Sequence, residues 1–298
     1  MRTNRVASVS VAGFGEKAKL YVELMKLRLS FLVAFSSGFG YILASVNGVD
    51  LMVLLMLSLG GILVSGASIA INQVIEVEYD AVMKRTKDRP LPTGKLTTNE
   101  AITFAVLCFL SGICLLYFTT NIQTVVLSFI SMILYSFVYT PLKRVGPIAV
   151  FVGAIPGALP PLLGWVAATG SISYEALIIF GIQFIWQFPH FWAIAWVADE
   201  DYKKAGFKLL PGNGKKDIQT AINIMIYTLF LIPLGLLPMY FGITGVNSAV
   251  VATICGVLFL AQTFGLMRDY SKKSAIKIMY GSFLYLPIVQ IAFLLDKI

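Results

Sequence analysis

Asn72-Gln73-Val74-Ile75-Glu76-Val77-Glu78-Tyr79-Asp80 is the stretch on which the reading of this chain turns. It follows Leu51–Ile71, a run of apolar and small residues long enough to enter a bilayer, and leads into Met83-Lys84-Arg85-Thr86-Lys87-Asp88-Arg89-Pro90. A helix turns about 100° per residue, so Asn72, Glu76 and Asp80, at i, i+4 and i+8, fall on one face with little drift. The spacing predicts an amide and two carboxylates on one side of a span's end, with several cations directly behind. Carboxylates are costly at such a place, and there they mark a site.

Only 13% of the 298 residues are charged and 58% are hydrophobic, against roughly 25% charged in a soluble domain. The expected fold is all-α, a polytopic membrane protein. Nine apolar segments approach the roughly 20 residues of a spanning helix. They are Phe31–Val46, Leu51–Ile75, Ala101–Phe118, Thr124–Tyr139, Pro147–Ala168, Tyr174–Ala198, Ile218–Tyr240, Ser248–Met267 and Ile276–Leu295. Residues 1–20 read as a polar leader and 21–298 as one transmembrane domain. No cleavable signal is expected, because the first apolar run is already a full span.

Lysines and arginines test this count independently. All but Lys297 lie in the leader or in the loops after the second, fourth, sixth and eighth spans. The intervening loops, Asn47–Asp50, Thr119–Gln123, Thr169–Ser173 and Phe241–Asn247, have none. The positive-inside rule then puts the amino terminus and the long basic loops in the cytoplasm and the carboxyl terminus outside. The net charge of +8 is thereby used for orientation, and no nucleic-acid partner is expected. Cys108, Cys114 and Cys255 fall within spans and lack metal-ligand spacing, so they read as packing residues.

Unusual polar residues gather on the basic-loop side in two places. The second begins at Gln183-Phe184-Ile185-Trp186-Gln187-Phe188-Pro189-His190-Phe191-Trp192 and continues to Asp199-Glu200-Asp201-Tyr202-Lys203-Lys204. It lies four spans after the first and, like it, puts cations behind carboxylates, which suggests a duplicated four-helix unit around a shared cavity. Mg²⁺ takes oxygen ligands, commonly one or two carboxylates plus substrate phosphates. Asn72, Glu76 and Asp80 on one wall, with Asp199 or Asp201 on the other, fit one or two Mg²⁺ ions bridging a diphosphate. Arg85 and Arg89 offer forked donors to phosphate, and Lys143 and Arg144 extend the positive pocket. The alternative is a snorkelling cluster that only caps helices and anchors headgroups.

His190, the single histidine, allows three readings: a bond to a neighbouring helix, a porphyrin-iron ligand, or a general acid/base. Pro189 removes a backbone bond and predicts a kink. The surrounding rings are packing, or else a pocket that stacks a flat substrate or stabilises a carbocation. In the fifth span, Gly153 and Gly157 match the small-xxx-small pattern for close helix approach. The prolines there also fit a thin, broken helix that leaves room for a bulky substrate.

Taken in order, five motifs resemble the UbiA superfamily of intramembrane prenyltransferases, and within it the haem O synthase branch. They are Asn72-x3-Glu76-x3-Asp80-x2-Met83-x-Arg85-Thr86-x2-Arg89-Pro90-Leu91-Pro92; Tyr139-Thr140-x-Leu142-Lys143-Arg144; Gly157-Ala158-x-Pro160-Pro161-Leu162-x-Gly164-Trp165; Trp186-Gln187-x-Pro189-His190-Phe191-Trp192-Ala193; and Asp201-Tyr202-x2-Ala205-Gly206. The resemblance covers roughly residues 22–295; Glu76 and the Pro-His-Phe-Trp run point to the haem branch rather than the quinone branch. It implies a nine-helix bundle with a lipid-accessible central cavity, in a bacterial inner membrane. It also implies Mg²⁺-dependent transfer of farnesyl from farnesyl diphosphate to a vinyl group of haem B, with water added. Asn72, Glu76, Asp80 and Asp201 would hold Mg²⁺–diphosphate, and Arg85, Arg89, Lys143 and Arg144 would contact phosphate. Haem A synthase or a terminal-oxidase assembly would receive the product.

Some positions depart from the family pattern. Lys26-Leu27-Arg28 stands for the usual Lys-Pro-Arg, Pro147-Ile148-Ala149 lacks a common polar Gln-Asn pair, and Phe207-Lys208-Leu209 replaces a Pro-Met-Leu turn. Tyr202 stands where another carboxylate is expected, which leaves the number of Mg²⁺ ions open. Two other functions compete: prenylation of an aromatic quinone precursor, and solute transport, which would place charge at mid-span in broken helices.

Overall fold

A computed structural model describes residues 14–298, so Arg2 and Arg5 of the leader lie outside the described residues. The chain runs α1 (Phe14–Met25), α2 (Leu27–Ala44), α3 (Leu51–Ile75), α4 (Val77–Val82), α5 (Thr98–Thr119) and α6 (Ile122–Ile133). A π-helical segment, Leu134–Tyr139, joins α6 to α7 (Thr140–Leu142). Then follow α8 (Ile148–Thr169), α9 (Tyr174–Val197), α10 (Asp199–Lys204), α11 (Ile218–Tyr240), α12 (Val246–Asp269) and α13 (Lys272–Leu295). Among the described residues nine helices are long and apolar enough to span a membrane, the fourth running unbroken from Ile122 to Leu142. The expected spans match them to within four residues at each end. The segments written as Phe31–Val46 and Thr124–Tyr139 extend into their polar flanks, to Leu27 and to Ile122 and Leu142.

Polar residues at the boundaries set where helices start. Asp50 accepts from the Met52 and Val53 amides at 2.8 and 3.1 Å, and Thr97 and Glu100 form a capping box at the head of α5. Such caps satisfy amides that have no partner within the helix.

The helices are not equivalent. In α8, 67% of its 18-residue apolar stretch is buried inside the protein, against 17% of that in the Ile122–Leu142 span. α8 packs against α2, α6 and α9, and α13 packs against α2, α9 and α12. The outer helices turn large apolar side chains outward, Phe129 and Leu258 among them, as expected where lipid replaces water.

Contact between α2 and α8 depends on two glycines. A Cβ on Gly164 would lie 1.8 Å from the Ser37 carbonyl oxygen, and one on Gly40 would lie 2.0 Å from that of Pro161. These pairs, not Gly153 and Gly157, bring the backbones together. Gly153 and Gly157 instead make room for side chains, the Tyr139 ring and the Gln187 amide. Nor is α8 broken: it is continuous through Pro156, Pro160 and Pro161, as α9 is through Pro189.

The far end of the bundle is closed by the last residues. The Lys297 ammonium donates to the Ile42 carbonyl at 2.8 Å and also to that of Ser45, satisfying the open end of α2. Asp296 accepts from the Ser248 amide at 2.7 Å and from the Asn247 side chain at 3.2 Å. The one basic residue away from the basic loops is therefore a helix cap.

Gly164→Ala should destabilise the protein by about 1–3 kcal/mol through overpacking and so lower its thermal unfolding midpoint in detergent. An open glycine such as Gly181, where an added Cβ meets nothing within 4 Å, should tolerate alanine, as a fluorescence melt of both variants would show.

Candidate active site

The helix carrying the acidic face does not run straight through it. α3 ends at Ile75, and Glu76 takes φ −101°, ψ 9° before α4 begins. Hydrogen bonding nevertheless continues, from the Glu76 amide to Asn72 at 3.0 Å and from the Asp80 amide to Glu76 at 2.7 Å. Asn72, Glu76 and Asp80 are all buried, 3%, 4% and 1% exposed. Asn72 donates to the Thr140 hydroxyl at 3.0 Å. Glu76 meets the Lys143 ammonium, which donates to Oε2 at 3.0 Å and stands 2.8 Å from Oε1.

Burying carboxylates needs compensation, since an unpaired buried charge is severely unfavourable. Lys143 supplies it for Glu76, and Arg89 for Asp80, where one guanidinium nitrogen contacts Oδ2. The other oxygen, Asp80 Oδ1, is buried without a hydrogen-bond partner. An orphaned carboxylate oxygen, on the same run that carries Asn72 and Glu76, is a donor that suits a hard cation. Among the described residues, however, no three His, Cys, Asp or Glu side chains converge on one point. A cage of carboxylates from both walls is therefore not assembled by protein groups alone.

The second acidic segment does reach the first. Asp201 Oδ2 accepts from the Arg85 amide at 3.2 Å, and its Oδ1 lies 3.6 Å from the Lys204 ammonium. Partial burial would raise the Asp201 carboxyl, but the Lys84 and Arg85 amides and the Lys204 charge hold it below its ordinary value. Asp199 is committed elsewhere, to Lys203 at 2.8 Å and Lys216 at 3.3 Å. Phe207 sits between the walls, 5.7 Å from the Tyr79 ring and 6.0 Å from that of Tyr202. Arg144 donates to the Tyr79 hydroxyl at 2.6 Å, and Arg85 stands 6.0 Å from the Tyr202 ring.

Beneath this polar cap lies a cavity of about 470 Å³, lined by residues of α2, α3, α8, α9, α13 and the π segment. Most of the lining is apolar. Tyr139 belongs to both regions: it lines the cavity, and the Lys143 ammonium lies 4.7 Å above its ring. The π turn puts Tyr135 and Tyr139 together, 5.4 Å apart; such turns occur often at functional sites. His190 also lines the cavity, with Trp186 stacked on it at 4.5 Å. Phe188 and Trp192, on another face of α9, pack against Tyr227 at 4.5 and 5.0 Å.

One residue escaped the sequence reading as a site group. Lys26 holds the junction of α1 and α2 in a left-handed conformation, φ 46°, unusual and strained for a residue with a side chain. Burial, first, and then the charges of Arg89, Lys143 and Arg85 together lower its ammonium to about 7. The sequence signal was its place beside the first span, which also serves orientation and so hid a second use.

Known proteins share this architecture and sequence. Protohaem IX farnesyltransferase of Cytophaga hutchinsonii is 53% identical over 278 residues, covering 93% of this chain and 97% of its own. The mitochondrial protohaem IX farnesyltransferase of Arabidopsis thaliana is 37% identical, over 99% of this chain and 69% of its own. Among solved structures, one described for digeranylgeranylglyceryl phosphate synthase superposes with a TM-score of 0.78 at 23% identity, covering 94% of this chain and 98% of that one. A UbiA homologue from Archaeoglobus fulgidus bound to GPP and Mg²⁺ superposes at 0.63 and 17% identity, covering 92% and 99%. The structural likenesses establish the fold. The model of the UbiA prenyltransferase family matches residues 32–286, and with the sequence relatives it establishes that this multi-pass membrane chain belongs to that family.

Proposed function

We propose that this protein transfers a farnesyl group from farnesyl diphosphate to a vinyl group of haem B, with addition of water, to give haem O. The named relatives support the acceptor and donor. The observation that carries the chemistry is the junction at Tyr139, where a buried cationic cap meets an apolar cavity. A diphosphate belongs in the first and its prenyl chain in the second.

Mg²⁺ fits the oxygen donors of Asn72, Glu76 and Asp80, with Asp201 reached across the diphosphate; Asp199, already held by two lysines, is left out of the set. When bound, Mg²⁺ would neutralise charge growing on the leaving oxygens. The protein's own pairs are arranged for exchange. As substrate enters, Lys143 and Arg89 can turn from carboxylate to phosphate, and Glu76 and Asp80 are freed as ligands. Arg85, Arg144 and Lys26 add positive charge where the departing diphosphate gathers negative charge. Breaking the allylic C–O bond leaves a farnesyl cation, to which Tyr135 and Tyr139 offer their π faces. The electron-rich vinyl carbon then attacks, and water adds to the resulting cation. We place the basic loops in the cytoplasm of a bacterial inner-membrane protein, with haem A synthase or terminal-oxidase assembly downstream.

Incubating the purified protein with farnesyl diphosphate, Mg²⁺ and either haem B or 4-hydroxybenzoate should yield, by mass, a farnesylated product from haem B. Product from the aromatic acid alone would overturn this reading. Asp80→Asn keeps the side-chain shape and should lower kcat by about 10²–10³-fold, the range for losing one group that stabilises developing charge. Near-normal turnover in that variant would remove Asp80 from the site.

Lys26 predicts a pH dependence. Phosphate beside it restores its charge, so binding takes up a proton wherever the free group is neutral. Below about 7 the lysine is charged in both states, and above its ordinary 10.5 it is neutral in the free form and regains charge with increasing difficulty. Pyrophosphate affinity should therefore fall from about pH 7 towards 10.5 more steeply in the wild type than in Lys26→Met. Calorimetry in buffers of different ionisation heat measures both slopes, and equal slopes would place Lys26 outside the anion site.

A further inference from the structure

The hydrogen bonds around His190 determine which of its nitrogens is available. The Ser282 hydroxyl donates to the Met279 carbonyl at 2.6 Å, which uses its single proton. It is also 2.8 Å from His190 Nδ1, and with its proton committed it can only accept there. Nδ1 therefore carries hydrogen, and in the neutral ring Nε2 carries the lone pair. Among the described residues Nε2 has no hydrogen-bond partner, and the cavity is the open space that His190 faces.

The ring is held in this pose from several sides. The Trp186 indole stacks on it at 4.5 Å and 21°, and donates its own N–H to the Ser282 carbonyl at 3.0 Å. Phe283 meets it edge-on at 5.1 Å. Neighbouring amides in the cavity are already committed. Gln290 bonds Ser36 and Gln183 at 2.9 Å, and Gln183 and Gln187 donate to the Gly157 and Ala154 carbonyls. Among the described residues lining the cavity, His190 is left as the side chain with an available, oriented nitrogen lone pair.

We propose that His190 ligates the iron of the haem acceptor through Nε2, with Ser282 as the residue that positions it; this rests on the reading of haem as acceptor. The pattern is that of a metal-binding histidine, whose second nitrogen donates to a fixed acceptor that sets tautomer and ring orientation. An iron–nitrogen bond stands normal to the porphyrin plane, so fixing the imidazole fixes the height and tilt of the macrocycle. His190 lies seven residues before the end of α9 at Val197, about 10 Å along the helix axis at 1.5 Å per residue. That sets the porphyrin below the charged cap, at a depth where a peripheral vinyl can meet an allylic chain hanging from it.

The test uses the full-length protein in lipid nanodiscs, titrated with ferric haem B and followed by absorption and electron paramagnetic resonance. The wild type should give an imidazole-ligated spectrum. His190→Ala should lose it, regain it when imidazole is added, and bind iron-free protoporphyrin IX as the wild type does. Ser282→Ala should weaken ferric haem binding about 10- to 100-fold, and Ser282→Thr should restore it. An unchanged spectrum in His190→Ala overturns the proposal, even if activity falls, since that would make the lone pair a base. Loss of iron-free porphyrin binding in the same variant also overturns it, by making the role structural. Absence of farnesylated haem from the wild type would instead sink the acceptor assignment, and mass analysis reports that separately.

Discussion

Two carboxylates are buried in the end of an apolar bundle, and the rest of the site follows from the need to compensate them. Glu76 lies at the joint between α3 and α4 and Asp80 on α4, but their counter-charges come from elsewhere. Lys143 arrives from the end of the fourth span, and Arg89 from the loop after α4. An unpaired charge at this depth would cost several kcal/mol, so the pairs tie these segments together. Lys208 continues the tie, its amide donating to the Lys143 carbonyl at 3.0 Å. The arrangement both closes the cap and stores positive charge where a phosphate would need it.

Much of this could be read from the sequence, because membrane helices obey one-dimensional rules. Length and apolarity marked the spans, and the alternation of basic loops checked their number. Asn72, Glu76 and Asp80 were legible as a set because helical spacing is local. What stayed hidden depends on residues far apart in the chain. Nothing near Glu76 shows that the helix pauses there, or that Lys143 is its partner. The π turn at Leu134–Tyr139 has no composition of its own. Asp199 looked as good a ligand as Asp201 until Lys216, from a later loop, was seen beside it. Ser282 could not be connected with His190 across 92 positions.

The suspected duplication has a geometric counterpart. Ala198, between α9 and α10, takes φ −97° and ψ 8°, close to the −101° and 9° of Glu76 between α3 and α4. Each joint is followed by a six-residue helix. Counted from the joints, Tyr202 occupies the place of Asp80, and Ala198 itself the place of Glu76. The two walls thus share a backbone device while differing in chemistry. One is built to hold charge; the other contributes Asp201 and, through Tyr202 and Phe207, an aromatic brace.

The closing contacts of the last residues have a consequence for how the protein is made. Ser36 on α2 bonds Gln290 on α13, and Lys297 caps the end of α2, contacts spanning 254 and 255 positions. Ribosomal synthesis delivers α2 long before α13. Until then the first span must wait in lipid with Ser36 and its terminal carbonyls lacking these partners. The cavity acquires its α13 wall only after the other helices that line it have been made.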